Sequence, residues 1–189
     1  MPDLLLASQN PGKLNEMRLL VEGLPFRVLG PRDLGLHESP DETGETFLEN
    51  ATIKALAYAR LSGLLTVADD SGLSVDALGG APGLYSSRFG GEGASDLDRN
   101  LLLLEKLRGV PRERRGARFT SAVTAAREGE VLFQAQESVE GAIAEEMRAM
   151  PQVSNVHNDW LEPVPILKLD IDQDRARALG VTSQGVRRA

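Results

Sequence analysis

The sequence predicts an α/β fold in one domain covering residues 1–189, and three observations carry that reading. Short apolar runs at Leu4–Ala7, Phe26–Leu29 and Leu64–Ala68 have the length and composition of buried strands. Runs with helical periodicity at about Leu14–Glu22 and Thr46–Leu61 alternate with them. Polar segments rich in Gly, Asp and Asn close the strands, where open α/β sheets usually place their chemistry.

At 189 residues the chain is long enough for a proper core. Apolar residues make up 41% and aromatics 4%, so Leu, Val and Ala are expected to do most of the packing. The formal net charge of −7 argues against general affinity for nucleic acid, which needs clustered Lys and Arg. With no cysteine, neither a disulfide framework nor a thiolate metal site is possible. No basic segment precedes the short N-terminal apolar run, and no run approaches the ~20 residues of a membrane span. The expectation is a cytoplasmic protein with no membrane partner.

The first strand stops at Ser8-Gln9-Asn10-Pro11-Gly12-Lys13, and a helix from about Leu14 follows, with Met17, Leu20 and Val21 on one face. A strand, a polar loop and a helix start present backbone N–H groups to an anion. An ordinary βα turn with a surface lysine is the plain alternative, and the spacing is not that of a Walker A loop. Gly30–Pro40 is read as a connecting loop. Thr43 or Thr46 caps the helix that ends near Leu61. Acidic residues near its start suit the helix dipole, so Glu42, Glu45 and Glu49 have a capping explanation as well as a chemical one. Lys54 lies four residues beyond Asn50, on a similar face.

The third strand runs into Asp69-Asp70-Ser71-Gly72, read as an Asp/Gly turn or as a site at a strand end. Leu73–Leu78 continues as strand or turn, and Gly79–Gly83 forms a rigid loop. Arg88 then faces a phosphate or the solvent. Between Asp41 and Arg88, seven carboxylates (Asp41, Glu42, Glu45, Glu49, Asp69, Asp70 and Asp76) lie among small residues. Such oxygen donors suit Mg²⁺, which takes one or two from the protein and the rest from water and phosphate. Ser95–Leu107 is an amphipathic helix, and Arg112–Arg118 a solvated basic loop. Phe119–Ala126 and Glu130–Glu140 pair as a hairpin across Arg127-Glu128-Gly129. His37, His157 and Trp160 are read as surface or packing residues.

Three motifs stand in order: S-Q-N-P-G-K (Ser8 to Lys13), E-T-G-E-T-F-L-E-N-A-T-I-K-A (Glu42 to Ala55), and A-D-D-S-G-L-S-V-D-A-L-G-G-A-P-G (Ala68 to Gly83) with Y-S-S-R (Tyr85 to Arg88). Over about residues 3–146 the chain resembles the inosine/xanthosine triphosphate pyrophosphatases. The resemblance implies a two-lobed mixed sheet flanked by helices, a homodimer, and Mg²⁺-dependent hydrolysis of non-canonical purine nucleoside triphosphates (ITP, dITP, XTP) to monophosphate and pyrophosphate. It implies that Ser8, Asn10 and Lys13 hold the triphosphate. Glu42 and Asp70 become metal-side carboxylates, with Asp70 also the general base. Asn50, Lys54 and Ser71 line the site.

The family's Gly-Phe-Gly-Tyr-Asp-Pro loop is absent. From about Met147 to Val186 the chain resembles the porter region of resistance-nodulation-division efflux transporters, most clearly at L-D-I-D-Q-D-R-A-R-A-L-G-V-T-S-Q (Leu169 to Gln184). The expectation is a chimera joined near Glu146, with a foreign β-β-α segment at 147–189: strands at Val153–Trp160 and Val164–Ile171, then a helix at Gln173–Leu179. Arg175 overlays the family's C-terminal arginine, although a surface arginine is the favoured reading. Activity is expected to be impaired, and the alternative is an inactive scaffold.

Overall fold

In the computed structural model of the chain, residues 1–148 and 164–171 are described. Six strands form one sheet in the order β2-β1-β3-β4-β5-β6. They are β1 (Asp3–Leu6), β2 (Arg27–Leu29), β3 (Leu65–Val75), β4 (Gly116–Arg127), β5 (Glu130–Arg148) and β6 (Val164–Ile171). β1 pairs in parallel with β2 and with β3, whereas β5 and β6 are antiparallel, so the sheet is mixed. Among the described residues three α-helices accompany it: α1 (Pro11–Leu20), α2 (Phe47–Ser62) and α3 (Asp96–Lys106). By contacts the chain divides into two units, Met1–Ser71 with Thr120–Glu137, and Gly72–Phe119 with Ser138–Ala189.

In the first unit the apolar run Leu4–Ala7 is buried, as a strand covered on both faces must be. Helix α2 buries Asn50, Ala51, Ala55, Tyr58 and Ala59, one stripe at helical spacing. Alanine dominates that stripe and lets the helix backbone lie close to the sheet. Ala55, Tyr58 and Ala59 join Leu5, Ala7, Ala68 and Ala126 in one core cluster. Tyr58, fully buried, keeps its hydroxyl satisfied by donating to the Glu38 carbonyl (3.0 Å) and accepting from Gln9 Nε2 (3.3 Å). Strand β1 stops pairing with β3 at the Leu6–Val67 register, and β3 runs on to Val75. The residues of β3 just beyond Val67 are therefore free of β1 as a neighbour.

In the second unit the core gathers Val75, Leu103, Leu107, Ala117 and Ile143. Ser95 caps α3, and Asp98 returns the bond to the Ser95 backbone, a reciprocal capping box. The Arg115 guanidinium donates to the carbonyls of Val110 (2.8 Å) and Leu107 (3.3 Å), tying the start of β4 to the turn that follows α3.

Several expected boundaries move, each for a local reason. Helix α1 begins at Pro11, three residues before the expected start, because Pro at the first helical position has the right φ and lacks only an N–H that has no partner there. Pro31–Leu34 forms a short 3-10 turn inside the expected loop. Strand β3 passes straight through Asp69-Asp70-Ser71-Gly72, where a turn was the alternative: sheet pairing overrides the low strand propensity of Asp and Gly. The basic stretch is no free loop, since Arg112–Arg114 is a 3-10 turn and β4 starts at Gly116. The β4–β5 hairpin turns at Glu128 and Gly129, both with positive φ (53° and 88°), as a two-residue turn between twisted strands requires.

Strand β6 lies where the sequence placed it. It pairs with β5 without a break over eight positions, Gly141↔Ile171 through Arg148↔Val164. The register crosses the expected junction at Glu146 with no offset, so β5 and β6 behave as one continuous ribbon. The expected strand Val153–Trp160 and helix Gln173–Leu179, with His157, Trp160 and Arg175, lie outside the described residues.

Candidate active site

Two lysines, each held by carboxylates of β3, define the site in the first unit. Successive side chains of a strand point to opposite faces. Asp69 and Ser71 therefore share one face of β3 and Asp70 takes the other. Lys13, in the first turn of α1, donates to Asp69 Oδ2 at 2.7 Å and to Ser71 Oγ at 3.0 Å. Lys54, two turns into α2, lies 3.2 Å from Asp70 Oδ1 and 3.1 Å from Glu42 Oε1. Its side chain is only 12% exposed, so this cation is held between two carboxylates with little water to screen it.

Local structure explains the placement. Asn10 is the N-cap of α1, and its side-chain oxygen accepts from the N–H groups of Gly12 (2.8 Å) and Lys13 (3.4 Å). Ser8 Oγ accepts from the Asn10 N–H at 3.3 Å. Both residues thus shape the turn that delivers Lys13 to β3. At α2, Thr46 Oγ1 accepts from the Glu49 N–H, and Glu49 returns bonds from the N–H groups of Glu45 (2.7 Å) and Thr46 (3.1 Å). That capping box gives Glu49 a structural role and sets the start of the helix. Asn50 and Lys54 follow on the face toward β3.

Asp70 is buried, at 8% exposure, and both its oxygens are engaged: Oδ1 by Lys54 and Oδ2 by Asn50 Nδ2 at 3.3 Å. An ionised carboxylate has about four lone-pair sites, so these contacts leave acceptor capacity for a water or a cation. Asn50, 2% exposed, also accepts from the Gly44 N–H at 2.8 Å.

Seven of the expected site residues, Ser8, Asn10, Lys13, Glu42, Asn50, Lys54 and Asp70, thus belong to this one unit, and Ser71 makes the eighth. Arg88 ends a 3-10 turn (Gly83–Arg88) of the second unit, where it is exposed. Asp69 was read only as one of the carboxylates between Asp41 and Arg88, and Gly44 was passed over. Asp69 is the direct partner of Lys13, a role the adjacent Asp-Asp pair after an apolar run signals. Gly44 gives Asn50 its donor, and no spacing rule points to it.

Among the described residues no group of three or more His, Cys, Asp or Glu side chains is arranged to hold a metal. Mg²⁺ needs fewer. Glu42 and Asp70, from a loop and a strand, converge on one cationic centre, now the Lys54 ammonium. All the donors are hard oxygens, so the pair fits a small divalent cation that completes its shell with water and phosphate.

The match with known proteins is extensive. A family model described as the Ham1 family covers residues 4–153. This chain belongs to the Ham1 family. A dITP/XTP pyrophosphatase of Xanthomonas oryzae pv. oryzae is 49% identical over 150 residues, covering 78% of this chain and 75% of the relative. The dITP/XTP pyrophosphatase of Bacillus subtilis is 41% identical, with 78% and 75% covered. Among solved structures, a HAM1 protein from Coxiella burnetii superposes with TM-score 0.69 at 38% identity, over 79% of this chain and 76% of that one. A nucleoside-triphosphatase, dITP/XTP pyrophosphatase, from Mycobacterium abscessus gives TM-score 0.66 at 34% identity over 94% and 97%.

The family match runs past the expected junction at Glu146, and the mycobacterial structure aligns with 94% of the chain. The expected transporter-derived segment and chimera find no support in these matches, and neither does the impairment inferred from them. Among the described residues, no helix of this Ham1 chain is long and apolar enough to cross a membrane.

Proposed function

We propose that the chain hydrolyses non-canonical purine nucleoside triphosphates (ITP, dITP and XTP) to the monophosphate and pyrophosphate, with Mg²⁺. The observation that carries this reading is the cluster in which Lys54 joins Glu42 to the buried Asp70. Lys13 donates to Asp69 and Ser71, the β3 residues on either side of Asp70. The names of the relatives give the substrate class.

In the proposed reaction, water attacks the α-phosphorus and the bond from that phosphorus to the α–β bridging oxygen breaks. Asp70 accepts the proton of the attacking water through its remaining lone pairs, and burial keeps it in a fixed orientation. Lys13 and Lys54 turn toward the triphosphate and offset the charge that gathers on the equatorial and leaving oxygens. Ser8 and Asn10 hold the α1 turn against the phosphates. Glu42 and Asp70 would hold Mg²⁺, which when bound supplies charge stabilisation to phosphate oxygens. The active protein is a homodimer in this scheme.

The experiment is pyrophosphate release from ITP, dITP and XTP with Mg²⁺, measured beside Asp70→Asn. The substitution is expected to lower turnover by roughly 10²- to 10⁴-fold, the usual worth of a positioned general base. Equal rates for the two proteins defeat the catalytic assignment.

A further inference from the structure

The side chain of Asn50 is the link between the two carboxylates of the site. Its oxygen accepts from the Gly44 N–H at 2.8 Å, two residues along the loop from Glu42. Its amide nitrogen donates to Asp70 Oδ2 at 3.3 Å. Only this orientation of the amide satisfies both neighbours, because Gly44 offers a donor and a carboxylate offers acceptors. At 2% exposure the group has little surface left for a ligand.

Gly44 makes the link possible through space, since it is not among the residues with positive φ. A Cβ there would stand 2.7 Å from Glu49 Cβ, 2.8 Å from Asn50 Oδ1 and 3.0 Å from the Asn50 backbone nitrogen. Two of those three atoms belong to a helix start already fixed by the Thr46–Glu49 capping box or to its backbone, so they have no room to yield.

We propose that Asn50 is a positioning residue rather than a substrate contact: it locks the loop carrying Glu42 onto the Asp70 carboxylate, and Gly44 is the close-approach partner of that lock. The inference rests on the pyrophosphatase reading for its kinetic part and stands apart from it for its structural part. Groups that orient the ligands of a metal or the reacting groups typically change activity by about 10- to 100-fold when removed.

Asn50→Ala is expected to lower kcat by about that factor with KM for the triphosphate unchanged. Gly44→Ala reproduces the loss without altering Asn50 itself, and the double variant is no worse than the poorer single one. In the ligand-free protein, exchange of the Gly44 amide, followed by NMR, accelerates in Asn50→Ala while the amides from Ala55 to Tyr58 keep their protection. Asn50→Asp separates the two halves of the link. It keeps an acceptor for Gly44 and loses the donor to Asp70, so Gly44 stays protected while kcat falls. It also serves if the alanine variant does not fold. A rise in KM with kcat unchanged in Asn50→Ala overturns the proposal, and so does unaltered Gly44 exchange. Wild-type protein that releases no pyrophosphate defeats the pyrophosphatase reading instead, and the exchange measurement still decides the lock.

Discussion

Lys54 carries two duties that pull in different directions. In the structure it bridges Glu42 and Asp70 and offsets part of their charge. In the reaction it turns toward phosphate oxygens. Lys54→Met removes the charge and keeps much of the apolar stem. Leaving the carboxylates without a counter-charge is expected to cost about 3 kcal/mol of stability, in the range for breaking a buried charge pair. Millimolar Mg²⁺ should then raise the thermal midpoint of the variant more than that of the wild type, because the cation fits the position the ammonium vacates. Calorimetry with and without Mg²⁺ checks this, and an equal midpoint for variant and wild type in the absence of metal sinks it. The surface pair Arg127–Glu128, at 3.4 Å and well exposed, makes a contrast and is worth little.

At the scale of elements, stability depends on helix starts and turns that the sequence signals openly. In α3, Asp98 Oδ2 accepts from the Ser95 hydroxyl (2.6 Å) and the Ser95 N–H (2.8 Å). These bonds, the hydroxyl first, hold its carboxyl below the ordinary value of 3.8. A group with a lowered folded value stabilises the protein fully above its unfolded value, and loses that contribution as pH falls through the folded one. The wild type should therefore melt above Asp98→Asn at about pH 5, with the gap closing toward about pH 2. A gap that stays constant over that range contradicts the assignment. In the β4–β5 turn, Glu128 holds a φ of 53°, which Asn tolerates better than Glu. Glu128→Asn should add about 0.5 kcal/mol, read from a chemical denaturation midpoint with unchanged slope. Capping and turn residues act within four or five positions, so they are legible in sequence. The passage of β3 through Asp69–Gly72 was harder to read, because pairing with distant strands decides it. The convergence of Lys54 on Asp70 was legible only through the family resemblance, because it joins a helix face to a distant strand. The approach of Gly44 to Asn50 was not legible, since it depends on the path of a loop.

For the whole molecule, charge decides what the site accepts. The chain carries a formal −7 and its proposed substrate is a polyanion, so attraction has to be local. On formal charges the two groups do not supply it: Lys13 is balanced by Asp69, and Lys54 is outnumbered by Glu42 and Asp70. A triphosphate entering without a cation meets one more carboxylate than ammonium at the site and a repulsive field around it. Neutralising part of that charge with a divalent ion reverses the balance, and this gives Mg²⁺ a role in binding that is separate from any role in turnover. The expected result is that ITP at ~100 times its dissociation constant stabilises the protein by about 2.7 kcal/mol when Mg²⁺ is present, and leaves the melting midpoint unmoved when EDTA replaces it. Adding NaCl to the EDTA sample should recover little of the shift, because screening weakens the distant field far more than contacts inside a partly buried cluster. An ITP-induced shift of the same size in EDTA would show that the two lysines and the α1 start suffice to hold the triphosphate, and would remove the metal from the binding step.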